Sequence, residues 1–226
     1  MINIIESTDI KNALLVVIYG VPNVGKTSLI TTLPPENTLF VSVEKQGIVP
    51  FKQPYKTVEI NSEKDFEELL VGLNELDWVK NVFIDSFSDV SKLVLLKSEN
   101  LSVTKAGNID NRATYFRVGA KLRKYVYTMR RYKQKNFILL AKEGTRENEN
   151  GIMYKCPDID GGKGYLSFIH DTDMLIRMVK EGKERVLITD TDSLTFTAKK
   201  RGYDVPDKIE PDLKALLAVK EKKDSI

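Results

Sequence analysis

The chain has 226 residues, a formal net charge of +3 and a single cysteine, Cys156. That length suits one large α/β domain with a full core, and so mild a net charge does not itself indicate a class of partner. A lone cysteine excludes an internal disulfide bond and suits a reducing compartment, and no apolar run is long enough to span a membrane. We therefore expect a cytoplasmic protein without a membrane partner.

The first strong pattern lies at residues 20–27, which read Gly-Val-Pro-Asn-Val-Gly-Lys-Thr. They fit G-x-x-x-x-G-K-[ST], the phosphate-binding loop. The preceding residues 13–19 form an apolar, β-branched run typical of a strand buried on both faces. Residues 27–33 are predicted to form a helix that ends before Pro34 and Pro35. We expect the loop to bind a nucleotide through Gly20, Val21, Pro22, Asn23, Val24, Gly25, Lys26, Thr27 and Ser28.

Each residue type in this loop has a physical reason. Gly20 and Gly25 allow backbone conformations in which successive N–H groups converge on phosphates, and a following helix adds positive charge at its N-terminus. Lys26 can reach the β and γ phosphates, and the hydroxyl of Thr27 can bind Mg²⁺.

Further along the chain, strands alternate with helices. Ser62 with Asp65 three residues later predicts a capping box at the start of a helix. The predicted strands are 13–19, 38–43, 56–60, 79–84 and 137–141, followed by a hairpin of 175–179 and 185–189. The predicted helices begin at Ser62, cover 86–97 and 113–133, and include a short amphipathic helix in the tail 204–226. This order predicts an α/β domain over 1–203, with a mainly parallel sheet flanked by helices and C-terminal hairpin strands.

Two segments carry little periodic pattern. Residues 99–112 form a predicted polar loop, and residues 143–164 form a long Gly-, Asn- and acid-rich connection of the kind that is often functional. In the helix 113–133 the spacing places Tyr115 on the inner stripe with Val118, Leu122, Val126 and Met129.

Three acids are predicted to follow strands at the edge where ligands bind. Asp85 either holds Mg²⁺ with Thr27 or caps the following helix, although Ser86 could be the cap instead. Glu44 either positions the attacking water or is a solvated loop acid. Glu143 is a candidate sensor of the γ-phosphate. The predicted catalytic residues are thus Lys26, Glu44 and Glu143.

Residues 112–142 contain ten basic residues and no acidic one, with Tyr115, Phe116, Tyr125, Tyr127 and Tyr132 interleaved. Such a mixture suits single-stranded nucleic acid, because cations follow the phosphates while aromatic rings stack on bases. A solvated helix face with its aromatic residues in the core, or an interface between subunits, would give a similar pattern.

The string Val-Pro-Asn-Val-Gly-Lys-Thr-Ser-Leu resembles the phosphate loop of translation-factor-type GTPases. The rest of the chain departs from that family, because Asp85 is followed by Ser-Phe-Ser where the family has Asp-x-x-Gly. The string nearest to the guanine-binding Asn-Lys-x-Asp is Thr104-Lys105-Ala106-Gly107, which lacks the final acid.

Residues 13–201 resemble the RecA-like recombinase core, in the compact form of phage single-strand annealing proteins. The strand ending at Asp85-Ser86 is similar to that family's Mg²⁺-binding strand, and the strand ending at Glu44 is similar to the one whose glutamate activates water. The strand before Glu143 resembles the sensor strand, where the recombinases usually have glutamine. Residues 164–168, followed by 173–177, resemble the segment after the second DNA-binding loop.

This resemblance implies an ATPase that uses ATP and Mg²⁺ and promotes DNA annealing or homologous recombination. It also implies contacts with single-stranded DNA through loops near 101–112 and 143–164. We expect a homo-oligomer, a ring or short filament, with a single-strand-binding protein as a further partner. Two alternatives are a nucleotide-gated DNA-binding module that does not hydrolyse ATP, and a GTPase-type switch.

Overall fold

The computed structural model describes residues 13–43, 51–103, 107–161, 168–191 and 194–219. The strands are β1 Leu15–Gly20, β2 Thr38–Ser42, β3 Lys56–Glu59, β4 Asn81–Asp85, β5 Asn136–Glu147, β6 Met153–Pro157, β7 Met174–Glu181, β8 Glu184–Ile188 and β9 Lys208–Ile209. The α-helices are α1 Glu63–Gly72, α2 Phe87–Leu101, α3 Asn111–Arg131 and α4 Leu213–Leu217. Short 3₁₀ helices cover Thr27–Thr32, Pro35–Asn37 and Leu73–Glu75.

One sheet organises the molecule, with strand order β3-β2-β4-β5-β1-β7-β8-β9 and β6 paired to β5. The six strands from β3 to β7 in this order run parallel, whereas β8, β9 and β6 pair antiparallel. The predicted mainly parallel sheet and its C-terminal hairpin are therefore confirmed. Because β5 lies between β1 and β4, its carboxyl end lies between those of the other two, with Lys142 opposite Gly20.

Apolar side chains cover both faces of the sheet. On one face α1, α2 and α3 pack over the strands through residues such as Phe66, Val94 and Leu122. On the other face the 3₁₀ helix Thr27–Thr32 and helix α4 pack through residues such as Ile30 and Leu213. This is the two-sided covering that parallel sheets require.

Local signals in the sequence explain where two helices begin. The predicted capping box is confirmed at α1, where the amide of Asp65 donates to Ser62 Oγ while the Asp65 carboxylate accepts from the amide of Ser62. Ser86 caps α2, because its hydroxyl accepts from the amide of Asp89.

The helix after the phosphate loop differs from the expectation. The α-helix predicted over 27–33 is a 3₁₀ helix, Thr27–Thr32. β-Branched residues lose side-chain freedom in an α-helix. In addition, the hydroxyls of Thr31 and Thr32 donate to the carbonyls of Ser28 and Leu29 three residues earlier, which tightens the turn.

Both segments predicted as irregular contain regular structure. Helix α2 runs on to Leu101 and α3 starts at Asn111, so that the first loop is shorter than the expected 99–112. The segment 143–164 is not irregular at its start, because β5 continues to Glu147 and pairs with β6 as a hairpin. The alternation of apolar and polar residues is weak in this segment, because most of the hairpin projects beyond the covered part of the sheet, where few side chains are buried.

The inner stripe of α3 is as predicted except at its first member. Val118, Leu122, Val126 and Met129 are all buried. Tyr115 was expected in the core but is 44 % exposed, although Thr114 beside it is buried. No helix in the described ranges has the length and apolar character needed to cross a membrane.

Candidate nucleotide-binding site

A cavity of about 1250 Å³ opens at the carboxyl edge of the parallel strands. Its lining includes Lys26, Thr27, Val43, Asp85, Lys142 and Arg185, which come from the loop after β1, the ends of β2, β4 and β5, and β8. Crevices at this edge of an open α/β sheet are where ligands bind. The volume exceeds that of most small-molecule pockets and leaves room for a nucleotide.

The backbone of the phosphate loop approaches its neighbours closely. A Cβ atom at Gly20 would lie 2.5 Å from the carbonyl oxygen of Met178 on β7, a distance that no side chain tolerates. Gly25 has φ +105°, a conformation that glycine adopts without strain. Asn23, at φ 61°, also lies in the left-handed region, where asparagine is one of the few tolerated residues. The loop therefore has its shape before any ligand binds.

The predicted loop residues divide into anchors and lining. Pro22, Asn23 and the run 25–28 line the cavity. Gly20, Val21 and Val24 do not, since Val24 is buried in the core below the loop and the side chain of Val21 points to solvent.

The side chain of Lys26 spans the loop. Its Nζ donates to the carbonyl oxygens of Gly20 at 2.8 Å and of Val21 at 3.0 Å. These carbonyls belong to the first turn of the loop, so the ammonium group lies within the curve of the backbone. A positive charge held there can meet an anionic group that enters the loop.

Thr27 and Asp85 meet at the floor of the cavity. The hydroxyl of Thr27 donates to Asp85 Oδ2 at 2.5 Å, although the two residues are 58 positions apart. Ser86 supplies the cap of α2, so the capping alternative for Asp85 does not apply. The hydroxyl and carboxylate oxygens are the hard ligands that Mg²⁺ prefers. In the described part of the chain no group of three or more His, Cys, Asp or Glu side chains is placed to hold a metal ion.

Four cationic residues of the cavity were not predicted from the sequence as site residues, namely Lys52, Lys92, Lys142 and Arg185. Arg185 lies over the loop, where its Nε donates to the carbonyl of Val24 at 2.8 Å and contacts Gly25. Nothing in the sequence around residue 185 signals this contact, because it depends on how β8 pairs beside β7. Lys142 forms an ion pair with Asp89 at 2.8 Å, and its amide donates to Ser88 Oγ.

Glu143, the predicted phosphate sensor, is not brought to this cavity. Successive side chains of a strand point to opposite faces, and Lys142 is the member of the pair that lines the cavity. Glu143 instead forms an ion pair with Arg177 at 2.9 Å, and its side chain is nearly buried. Tyr19 lies nearby, and burial raises the pKa of its hydroxyl far above the ordinary value. The structure therefore places Glu143 outside the lining of this cavity, and its role as a sensor stays a prediction.

Glu44, the predicted water-positioning residue, lies outside the described residues. The residue before it, Val43, lines the cavity, and its amide donates to the carbonyl of Asp85 at 2.8 Å.

Comparison with known protein families identifies the family of the chain. A family model described as an AAA domain matches residues 12–202, which include the phosphate loop and every parallel strand. No curated protein matches the chain. The central, mostly parallel sheet flanked by helices fits the fold of a P-loop NTPase.

Gly25→Ala should weaken nucleotide binding at least tenfold. The new Cβ would lie 2.7 Å from Arg185 Nε, and φ +105° would cost the alanine about 1–2 kcal/mol. Titration with a fluorescent ATP analogue measures the affinity, and thermal unfolding reports the stability.

Gly72→Ala is the matched control, because no atom lies within 4 Å of the added Cβ and the residue has helical dihedral angles at the end of α1. Equal affinities for the Gly25 and Gly72 variants would show that the loop tolerates a side chain and would contradict this description.

Proposed function

Because the chain belongs to the AAA domain family, we propose that it is a P-loop ATPase that binds ATP with Mg²⁺ and acts on single-stranded DNA in annealing or recombination. The family supports nucleotide binding and ATPase chemistry in general. The DNA substrate, the reaction on it and the roles of individual residues are the proposal.

The contact between Thr27 and Asp85 carries the first half of the proposal. It places two hard oxygen ligands side by side beneath a preformed phosphate loop. Thr27 and Asp85 would hold Mg²⁺ there, and the ion would supply positive charge that offsets the negative charge developing during phosphoryl transfer. The proposed metal ligands are thus Thr27 and Asp85.

The remaining groups of the cavity have distinct roles in this proposal. When the nucleotide binds, Lys26 Nζ gives up its hydrogen bonds to the loop carbonyls and donates to the β and γ phosphates instead. The amides of residues 25–28 hold the phosphate oxygens. Arg185 keeps the loop in place through the carbonyl of Val24. Lys142, rather than Glu143, is the cation at the end of β5 that faces the phosphates. Glu44, directly after cavity-lining Val43, orients the water for in-line attack.

The second half of the proposal, single-stranded DNA, rests on charge and on the resemblance to RecA-like annealing proteins. Ten cations and no acid occur in residues 112–142, within a chain of net charge only +3. A local excess of this size is typical of nucleic-acid-binding surfaces. In this proposal the protein works as a homo-oligomer, and the domain 1–203 is followed by a C-terminal tail 204–226, of which β9 pairs with β8 and α4 packs on the sheet.

Steady-state hydrolysis of ATP and GTP, with and without an oligonucleotide at low salt, tests the proposal. We expect turnover of ATP that the single strand stimulates. Turnover of GTP alone, indifferent to DNA, would favour a GTPase-type switch. Nucleotide-dependent DNA binding without turnover would favour the module that does not hydrolyse ATP.

Lys26→Ala should abolish ATP binding, because it removes the only loop side chain whose charge faces the phosphates. Isothermal titration with Mg-ATP measures the affinity. Lys214→Ala, which removes an exposed lysine of α4, is the control and should bind as the wild type does. Unchanged affinity in the Lys26 variant would exclude the loop as the nucleotide site.

Glu44→Gln should bind ATP normally but hydrolyse it at least about a hundredfold more slowly, since the amide cannot accept a proton from water. Single-turnover kinetics separate the two effects. Glu36→Gln changes an exposed acid just before β2, at the opposite end of that strand, and should leave the rate unchanged. A wild-type rate for the Glu44 variant would remove this residue from the mechanism.

A further inference from the structure

The outward side of α3 exposes aromatic rings among cations. Phe116 is 79 % exposed and Tyr127 is 58 % exposed, although both could have been buried had the helix been rotated. Scattered apolar residues are normal on a protein surface, but a phenylalanine that contacts so little of its own chain has no role in the core. The solvated-face interpretation of this helix, with its rings in the core, therefore fails for these two residues.

These two rings share one side of the helix. They are eleven residues apart, which corresponds to three turns with only about 20° of rotation and a separation of about 16 Å. We define the α3 face by the residues on this side. Its members are Arg112, Phe116, Arg123, Lys124, Tyr127 and Arg131.

The cations of α3 divide into two groups by their contacts. Arg130 forms a bidentate ion pair with Asp173, and Lys121 pairs with Glu63 and Glu67 on α1, so these two stabilise the fold. The four cations of the α3 face have no such ion pair within the part of the chain that the structure describes. Their charge is available to a ligand.

A groove beside the α3 face adds an apolar contact surface. It lies between α2 and α3, has a volume of about 320 Å³, and includes Phe116 and the exposed Leu101. Its lining also includes Arg117 and Lys124, together with Glu63, whose carboxylate is paired with Lys97 and Lys121. A flat apolar group with a negative charge attached would meet complementary chemistry here.

Charge complementarity decides what occupies this surface. Helix α3 contains no acidic residue, so a two-fold contact between the α3 faces of two copies would bring like charges together. A polyanion avoids that cost. Exposed rings in addition to cations favour unpaired bases, since the bases of a duplex are stacked on one another and cannot stack on a side chain.

We propose that the α3 face is a docking surface for single-stranded DNA, with phosphates on its cations and bases stacked on Phe116 and Tyr127. This inference rests on the proposed DNA-binding function and gives it a location on α3, whose first residues, including Arg112, overlap the end of the loop near 101–112. Since α3 and the 3₁₀ helix after the phosphate loop cover opposite faces of the sheet, the surface is separate from that wall of the nucleotide site.

Fluorescence anisotropy with a labelled oligothymidylate, over a range of salt concentrations, tests the proposal. Phe116→Ala and Tyr127→Ala should each weaken binding roughly tenfold, as expected for the loss of one stacked base. Phe116→Trp should retain affinity, whereas Phe116→Leu should lose it, because leucine is apolar but has no π face. Thermal unfolding should not change, since both rings contribute little to packing.

Arg123→Gln with Lys124→Gln should reduce the salt dependence of binding by about 1.4 in log K against log salt, the value for two lost phosphate contacts on a single strand. Lys208→Gln with Lys214→Gln is the matched control. This double variant removes the same charge, but from β9 and from α4, which packs on the same face of the sheet as the 3₁₀ helix Thr27–Thr32. The slope of log K against log salt should not change.

The possible outcomes are distinct when sedimentation of each variant is measured alongside. Wild-type affinity in the α3 variants would overturn the location while leaving the DNA-binding function intact. Wild-type protein that hydrolyses ATP but binds no single strand would overturn the DNA function and this inference together. Loss of affinity only in variants that also dissociate into monomers would make the α3 face an interface between copies, which would contradict the proposal.

Discussion

The hydrogen bond between Thr27 and Asp85 is the constraint on which the rest of the site depends. It joins the loop after β1 to the end of β4, and these two strands are not neighbours. They can meet only because β5 lies between them and all three are parallel, so that their carboxyl ends reach the same edge. The position of each strand in the sheet therefore determines the chemistry of the cavity.

Helix α2 connects this cavity with the hairpin of β5 and β6. One side of the helix, including Asp89 and Lys92, lines the cavity. The other side carries the buried hydroxyls of Ser88 and Ser91, which accept from the amides of Lys142 and Asp160. Buried hydroxyls need such hydrogen-bond partners. Here Lys142 lies just before, and Asp160 just after, the paired residues 143–157 of the hairpin. The nucleotide cavity and the hairpin thus share one rigid element.

Features that depend on neighbouring residues could be predicted from the sequence. The phosphate loop, the capping box of Ser62 and Asp65, the apolar stripe of α3 and the C-terminal hairpin all follow from local patterns. Strand periodicity also indicated the parallel sheet, because runs buried on both faces leave few other arrangements.

Features that depend on strand register and on distant contacts could not be predicted from the sequence. Glu143 is predicted as the sensor because it follows the strand 137–141, and no local pattern shows that Lys142 is instead the residue that lines the cavity. Arg185 donates to Val24 in the loop, 161 positions earlier in the chain, a contact that no local pattern encodes. Tyr115 fits the inner stripe by spacing, but its exposure depends on where α3 meets the sheet.

The decisive measurement is the affinity for ATP, in the presence of Mg²⁺ and in the presence of a chelator, for the wild type and for Asp85→Asn. It tests whether Thr27 and Asp85 hold the metal ion. The asparagine side chain can still accept a hydrogen bond from the Thr27 hydroxyl, but it lacks the negative charge that attracts the metal. We predict that Mg²⁺ strengthens ATP binding to the wild type and has little effect on ATP binding to the variant. An equal gain from Mg²⁺ in both proteins would contradict the placement of the metal between Thr27 and Asp85.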